Sequence, residues 1–302
     1  MSVFLRTTEI KPIEWHKLPH IKTGLQQLDK KILGLFPSTI TCLSGLNGSG
    51  KSSLLGQIIL DICQQNKKVA LFSGEMPAPH VMSWLHLQAC GSAFVKETQY
   101  EGVFRPDDFT IPLINKWLYD KLFLYNHEVT RTARKFENIL ESMKLCVNQG
   151  HTDVIILDNL AAIDLGATQF NKNEKQSAFI WSLKDFATEY ETPIIFVAHP
   201  RKAAGFLRKE DISGTADLTN AADNVFIVHR VNNDFRRLTE QMFRWPKDHD
   251  IYDFDNVVEV CKNRSLQGMQ DYMVGIHFCK KSKRMQTNTH LKSYDWERLM
   301  DV

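Results

Sequence analysis

Several features that define other classes of protein are missing from this chain of 302 residues. No run of about 18 apolar residues occurs, so no membrane-spanning helix is predicted. The six cysteines form no CxxC pair and follow no regular spacing, which argues against a zinc ribbon and a disulfide scaffold. Lys and Arg number 37 and Asp and Glu 35, so the net charge is only +2. Any nucleic-acid surface must therefore be a local patch.

Residues 1–20 also lack the marks of a targeting peptide. They contain no apolar leader segment, and their two glutamates are atypical of a transit peptide. Four of the cysteines lie in apolar contexts typical of buried, reduced thiols. We therefore expect a cytoplasmic location. Residues 1–20 are interpreted as an N-terminal arm and residues 21–302 as one domain.

Short apolar runs rich in Val, Ile and Phe are the main structural signal, and they are typical of strands buried on both faces. They cover residues 38–45, 68–74, 153–159, 193–199 and 224–230. Helical patterns cover residues 52–65, 79–93, 131–149, 172–190 and 215–222. This alternation predicts an α/β fold with a mostly parallel, twisted sheet and helices on both faces. Alternating patterns at 257–264 and 271–280 predict a C-terminal β-hairpin. The polar stretch 232–254 is predicted to be a surface loop.

A phosphate-binding loop is the clearest functional signal. Residues 45–52 read GLNGSGKS and match G-x-x-x-x-G-K-[ST] between a predicted strand and a predicted helix. In that context backbone N–H groups and the helix N-terminus hold a triphosphate, while Lys51 reaches the β- and γ-phosphates and Ser52 binds Mg²⁺. The alternative is a chance glycine-rich turn. The predicted ligands are ATP (or another NTP) and Mg²⁺, and the predicted nucleotide contacts are Gly45, Asn47, Gly48, Ser49, Gly50, Lys51, Ser52 and Ser53.

Three polar residues follow other predicted strands and so belong at the same edge of the sheet. Asp158 ends the run VIILD, where it could hold the magnesium ion, although a solvated strand-end acid has the same pattern. Glu75 could deprotonate the attacking water, and a surface glutamate fits equally well. His199 is either a structural strand-end histidine or a donor to the γ-phosphate.

Together these motifs resemble the hexameric replicative helicases, which are the DnaB-like ring helicases, and especially the helicase half of Twinkle-like primase–helicases. The resemblance covers about residues 23–280. It rests on five blocks in a fixed order, which read GLNGSGKSS, SGEM, VIILDNL, VAHPRK, and SGTADLTNAADNV followed by EVCKNR. It implies a RecA-like P-loop ATPase core.

The resemblance also implies roles for individual residues. Glu75 becomes the catalytic base, Asp158 the magnesium acid and His199 the phosphate sensor. Arg264 matches the arginine finger that enters the neighbouring subunit's site, and Lys262 matches its companion lysine. Without the family match, both cations would be interpreted as a solvated hairpin end.

The loop after His199 is implied to grip single-stranded DNA in a central channel. It carries four cations within nine residues, which suits a loop that follows a phosphate backbone. Arg201 and Lys202 match the family's contacting positions best, and Arg208 and Lys209 are weaker candidates. An exposed charged loop is the alternative.

The implied partners are further copies of the chain in a hexameric ring, single-stranded and forked DNA, and a separate primase, polymerase or helicase loader; no membrane is implied. The chain departs from the family after Arg264, where residues 265–268 read SLQG instead of an aromatic residue and a Gly-acid pair. The predicted function is an ATP-dependent DNA helicase. The alternatives are a recombinase-type DNA-binding filament, or a loader or regulatory ATPase without unwinding activity. The VAHPRK and CKNR blocks favour the helicase.

Overall fold

The computed structural model describes residues 5–126, 132, 134–168, 170–201, 204–214, 216–265, 272–288 and 292–301. The strands are β1 (Ile40–Gly45), β2 (Val69–Ser73), β3 (Val95–Glu97), β4 (Phe104–Pro106), β5 (Leu122–Leu124), β6 (Val154–Asp158), β7 (Ile194–Val197), β8 (Asn224–Arg230), β9 (Asn256–Asn263), β10 (Tyr272–Phe278) and β11 (Met285–Gln286). The α-helices are α1 (Gln26–Ile32), α2 (Lys51–Gln64), α3 (Ala78–Cys90), α4 (Thr110–Leu118), α5 (Phe136–Asn148), α6 (Lys172–Glu189), α7 (Ala216–Ala221) and α8 (Asn233–Phe243).

Nine strands form one sheet in the order β11-β10-β9-β8-β1-β7-β6-β2-β5. From β8 to β5 every neighbouring pair is parallel, whereas β9, β10 and β11 add in antiparallel fashion. This confirms the predicted α/β fold with a C-terminal hairpin. Since the carboxyl ends of parallel strands meet at one edge, the residues that follow β1, β2, β6 and β7 are brought together there.

Two apolar clusters cover the two faces of the sheet. One contains α2, where Leu54, Ile58 and Ile62 are buried, and the other contains α6, where Ile180 and Leu183 are buried. With both faces covered, all six residues of β1 are buried, which explains its continuous apolar run. Within the residues that the structure describes, no helix is both long and apolar enough to cross a bilayer.

The predicted loop at 232–254 is wrong, because α8 occupies its first half. The Asn232 side chain accepts a hydrogen bond from the backbone N–H of Phe235 and caps the helix. Phe235 and Thr239 are buried, and a third apolar cluster forms from Phe206, Phe235, Ile251, Tyr252 and Val257. A few apolar residues at helical spacing suffice to bury one face of an otherwise polar helix.

The structure also differs from the sequence predictions in where one helix begins and in how deeply some cysteines are buried. The helix predicted from residue 131 begins at Phe136, and the turn of the predicted hairpin lies outside the described residues. Cys42 and Cys63 are buried as expected, whereas Cys261 and Cys279 are only half-buried.

The C-terminal segment is fixed to the centre of the molecule. Tyr294 and Trp296 are fully buried. Tyr294 Oη donates to Asp61 Oδ1 of α2 over 2.7 Å, and Lys292 Nζ lies 2.5 Å from the same oxygen. Near the N-terminus, Trp15 packs edge-on against Phe36 with ring centres 5.2 Å apart.

Candidate functional site

The phosphate-binding loop joins β1 to α2 as the sequence predicts. Gly48 and Gly50 have φ values of +74° and +96°, a left-handed backbone that residues with a Cβ seldom adopt. The ammonium group of Lys51 donates to the carbonyl oxygens of Gly45 at 2.8 Å and Leu46 at 3.0 Å. Burial lowers the Lys51 pKa, and the carboxylates of Asp158 and Glu75 act in the opposite direction. A cation is thus held where a triphosphate would need one.

The remaining predicted contacts surround this loop. Asn47, Gly48 and Ser52 line a cavity of about 650 Å³ that also receives Lys51. Ser49 Oγ is buried and has no hydrogen-bond partner among the described residues. Ser53 is buried at the start of α2, with its carbonyl oxygen accepting from Gln88 Nε2 at 2.8 Å.

Glu75, Asp158 and His199 come together at the carboxyl edge of the sheet, on the other side of the same cavity. Glu75 Oε1 lies 2.9 Å from His199 Nε2 and 2.5 Å from Asn159 Nδ2. Asn159 Nδ2 is also 2.8 Å from His199 Nε2, so the three side chains form a closed triangle. Because a carboxylate only accepts, Asn159 orients Glu75 by donating to it. Asn159 was not identified from the sequence, although it directly follows Asp158.

Asp158 lies beside this triangle without belonging to it and is 8% exposed. Burial, and after it the Glu75 carboxylate, raise its pKa to about 6, while His199 and Lys51 oppose the shift. The Asp158 carboxylate and the Ser52 hydroxyl line the same cavity, and both are hard oxygen donors of the kind that Mg²⁺ prefers. Ser52 and Asp158 therefore fit the predicted magnesium site.

The segment after His199 leads from this cavity to the candidate DNA loop. The carbonyl oxygen of His199 accepts from the backbone N–H of Ser213 at 2.7 Å, and the backbone N–H of Arg201 donates to the Asp211 carbonyl at 2.7 Å. The Arg201 guanidinium also donates to the Gly214 carbonyl oxygen. Arg201 thus lies at the rim of the cavity. Lys202 falls outside the described residues.

The two weaker DNA candidates lie further along the same loop. Lys209 begins a short 3₁₀ turn at Lys209–Asp211. Arg208 is engaged within the chain, with its guanidinium 5.0 Å from the centre of the Phe206 ring and 3.8 Å from Glu259 Oε1.

Lys262 and Arg264 lie at the opposite edge of the sheet. Lys262 Nζ donates to the carbonyl oxygens of Thr219 and Asn220 at 2.8 and 2.9 Å, at the end of α7. Burial and then Arg264 lower its pKa to about 8. Arg264 donates to the Asn220 carbonyl at 2.7 Å and lies 3.8 Å from Asp223 Oδ1.

The register of the sheet gives the separation of these two edges. Asn263 pairs with Asn224, which pairs with Thr41, whereas Gly45 pairs with Val228. Four residues of strand separate Thr41 from Gly45, which corresponds to about 13 Å. The side chain of Arg264 points to the amino edge, so it does not approach the phosphate loop of its own chain.

Two further residues support the site and carry no local sequence signal. Asn256 Nδ2 donates to the Ser49 carbonyl oxygen at 2.7 Å and supports the phosphate loop from β9. Asp223 Oδ2 accepts from the backbone N–H of Ile40 at 2.8 Å and from Lys184 Nζ at 2.6 Å. Asp223 therefore connects the first residue of β1 to the surroundings of Arg264.

The sheet order and the phosphate loop define a RecA-like P-loop fold. The family model described as "DnaB-like helicase C terminal domain" matches residues 20–287. The chain therefore belongs to that family, and the resemblance inferred from the five sequence blocks is confirmed.

Curated relatives agree with this assignment. The chain is 23% identical over 225 residues to the Twinkle homolog protein, chloroplastic/mitochondrial, of Arabidopsis thaliana, which covers 70% of the chain and 30% of the relative. It is 23% identical over 226 residues to the replicative DNA helicase DnaB of Helicobacter pylori. That match covers 71% of this chain and 44% of the relative. The chain thus spans less than half the length of either relative.

Solved structures show the same fold. One solved ATPase domain superposes with a TM-score of 0.70 at 14% identity, covering 91% of this chain and 92% of that domain. A DnaB-like replicative helicase, whose structure was described together with its interactions with primase, superposes with a TM-score of 0.68 at 13% sequence identity. The match covers 89% of this chain and 62% of that chain. A KaiC-like protein of Pyrococcus horikoshii superposes with a TM-score of 0.59 at 12% sequence identity, and the match covers 89% of this chain and 98% of that chain.

Proposed function

We propose that this chain is the motor of an ATP-dependent replicative DNA helicase that moves along single-stranded DNA. The observation that carries the proposal is the cavity shared by Lys51, Asp158, Glu75 and His199, with Arg201 at its rim. Arg201 follows His199 by two residues, so the groups proposed to sense the nucleotide and to hold DNA are adjacent in the chain. Family membership supports the same function.

Hydrolysis requires an oriented base and positive charge around the transferred phosphate. Glu75 is proposed as the base, because Asn159 and His199 hold its carboxylate within hydrogen-bond distance. Lys51 supplies positive charge on the phosphate side. His199 touches Glu75 and continues into the DNA loop, so it can relay loss of the γ-phosphate.

Ser52 and Asp158 would hold Mg²⁺. When bound there, the ion would supply positive charge to the triphosphate. ATP is proposed as the nucleotide on the strength of the family, and the same residues would accept another NTP.

Arg264 is proposed to complete the site of a neighbouring copy. It lies at the edge of the sheet opposite its own phosphate loop, half exposed and held by Asn220 and Asp223. A heterologous contact between the two edges repeats from copy to copy, and it closes into a ring when the rotation between successive copies closes. We propose a hexamer, with residues 1–20 as an arm, residues 21–302 as one ATPase domain and Lys262 as the companion of Arg264.

Single-stranded and forked DNA are the proposed substrates. Arg201 and Lys202 would follow the phosphate backbone from the loop after β7, with Arg208 and Lys209 as further candidates. A separate primase, polymerase or loader is proposed as a partner of the ring.

A strand-displacement assay on forked DNA with ATP and Mg²⁺ tests the proposal. The wild-type chain should displace the strand, and Lys51→Ala should not.

Arg201→Ala should weaken binding to single-stranded DNA irrespective of base sequence. It should also reduce the slope of log binding constant against log salt concentration by about 1, which corresponds to one phosphate contact. Arg298→Ala is the matched control, because Arg298 is an exposed arginine in the C-terminal segment. Closed rings without strand displacement would favour a loader, and open filaments a recombinase-type protein.

A further inference from the structure

The DNA loop after β7 is anchored at both ends. At its start, His199 contacts Glu75 over 2.9 Å. At its far end Phe206 is 9% exposed, and its ring stacks on His229 of β8 with centroids 4.5 Å apart and planes 14° from parallel. The first contact belongs to the nucleotide site described above, and the second does not.

Phe206 and His229 belong to a closed set of four side chains, which also includes Arg208 and Glu259. His229 Nε2 lies 2.8 Å from Glu259 Oε2, and both residues are buried. Glu259 Oε1 lies 3.8 Å from the Arg208 guanidinium, which in turn lies over the Phe206 ring at 5.0 Å. The stack is therefore fixed by an ion pair, a hydrogen bond and a cation–π contact.

This set also adjoins the phosphate loop. His229 follows Val228, the partner of Gly45 in the sheet. A Cβ on Gly45 would lie 2.5 Å from the Val228 carbonyl oxygen, so β8 and the start of the loop are in close contact. A cavity of about 290 Å³ separates residues 46–49 from residues 204–206, and Phe206 and His229 both line it.

Helix α8 supports the stack from behind. Phe235 and Phe243 lie 5.8 and 5.5 Å from Phe206, ring centre to ring centre. Phe243 also contacts Arg208 at 5.2 Å. Phe243 lies in α8 and packs against the same apolar cluster as Phe206. A substitution of Phe243 can therefore be compared with a substitution of Phe206.

We propose that Phe206 is a positioning residue that couples DNA binding to nucleotide binding through its stack on His229. The inference rests on the proposed function, because it assumes that this loop holds DNA. A DNA-induced shift of the loop would move Phe206, and the packed ring would pass that shift to β8 and on to the phosphate loop. This route is separate from the contact between His199 and Glu75.

The coupling can be measured by binding alone. The dissociation constant of a single-stranded oligonucleotide is measured with and without a non-hydrolysable ATP analogue, and the ratio of the two gives the coupling factor. Typical couplings are about 5-fold or more, and the factor must be the same for either ligand. We expect such a factor for the wild type and a factor below about 2 for Phe206→Leu, which keeps an apolar side chain and removes the ring.

Two matched variants separate the stack from general packing. Phe206→Tyr keeps the aromatic ring and should retain the wild-type factor. Phe243→Leu should retain it too, because among the described residues the Phe243 ring contacts Phe206 and Trp245, whereas the ring contacts of His229 are with Phe206 and Phe235. If thermal unfolding shows that Phe206→Leu does not fold, His229→Gln removes the other ring and should lower the factor in the same way.

The possible results separate the role of the Phe206–His229 stack from the helicase proposal on which it rests. A wild-type factor retained by folded Phe206→Leu, or an equal loss in Phe243→Leu, would overturn the role of the stack and leave the helicase proposal in place. A wild-type protein that does not bind single strands would overturn both.

Discussion

Neutralising Asp158 is expected to stabilise the metal-free protein while abolishing its hydrolytic activity. The Asp158 carboxyl has a pKa of about 6 in the folded chain, against an ordinary value of 3.8, because it is desolvated and faces Glu75. At neutral pH this difference lowers the free energy of unfolding by about 3 kcal/mol, since a tenfold change in an ionisation constant corresponds to about 1.4 kcal/mol. Asp158→Asn removes the charge at nearly constant volume, so it should restore most of that free energy.

The pH dependence follows from the direction of the shift. A carboxyl with a raised folded-state pKa favours folding when it is protonated, so its contribution is fully present below pH 3.8 and is lost as pH rises through about 6. The stability advantage of Asp158→Asn should therefore be largest near pH 7.5, fall to about half near pH 5 and vanish below about pH 4.

Urea unfolding followed by tryptophan fluorescence, in chelator-containing buffer at these three pH values, measures the effect. Asp248→Asn serves as the control for a charge change, because Asp248 is exposed. Addition of Mg²⁺ and ATP should then stabilise the wild type more than the variant. An Asp158→Asn chain that is less stable than the wild type at pH 7.5, or a difference independent of pH, would refute the account of this carboxylate.

Three further substitutions test other parts of the structure. Glu75→Gln should bind nucleotide and lower the hydrolysis rate about 100-fold or more, as single-turnover assays would show; near-normal turnover would contradict its role. Tyr294→Phe removes one of the donors to the buried Asp61 carboxylate and leaves those of Lys292 and Gln57, so urea unfolding should reveal a loss of about 1–3 kcal/mol. Asp223→Ala removes the carboxylate that pairs with the Lys184 ammonium and leaves it the Ser38 carbonyl oxygen, so it should cost about 3–5 kcal/mol in the same assay; a loss below about 1 kcal/mol would contradict the ion pair.

Features encoded by adjacent residues could be predicted from the sequence. The phosphate loop and the central strands carry strong local patterns, and parallel pairing then brings Lys51, Glu75, Asp158 and His199 to one edge. The gathering of these four residues follows from the motif and the alternation of strands and helices. Their chemical roles remain predictions.

Contacts between distant parts of the chain could not be predicted. Asn256 and Ser49 are 207 residues apart in the sequence, and Tyr294 and Asp61 are 233 apart. Neither pair has a local signal, because each depends on where the C-terminal strands and segment pack. The burial of the Tyr294 hydroxyl is explained by its hydrogen bond to the Asp61 carboxylate.

Helix α8 was missed for a different reason. Its polar composition obscured the spacing of Phe235, Leu238 and Thr239, which place one face of the helix against the molecule. Asn232, which caps the helix, and Asp234 in its first turn were start signals that could have revealed it. Arg208 illustrates the consequence, since its contact with Phe243 could not be foreseen without this helix.

The most direct test of the account mixes two inactive variants. In the proposed ring, Lys51→Ala removes the phosphate contact of a subunit's own site, and Arg264→Ala removes the finger that it lends to its neighbour. Random mixing would leave about a quarter of the sites with both groups intact, so ATPase activity should return to roughly that fraction of the wild-type value. If Arg264 acted within its own chain, no site in the mixture would be whole. A mixture as inactive as its components would contradict the central claim.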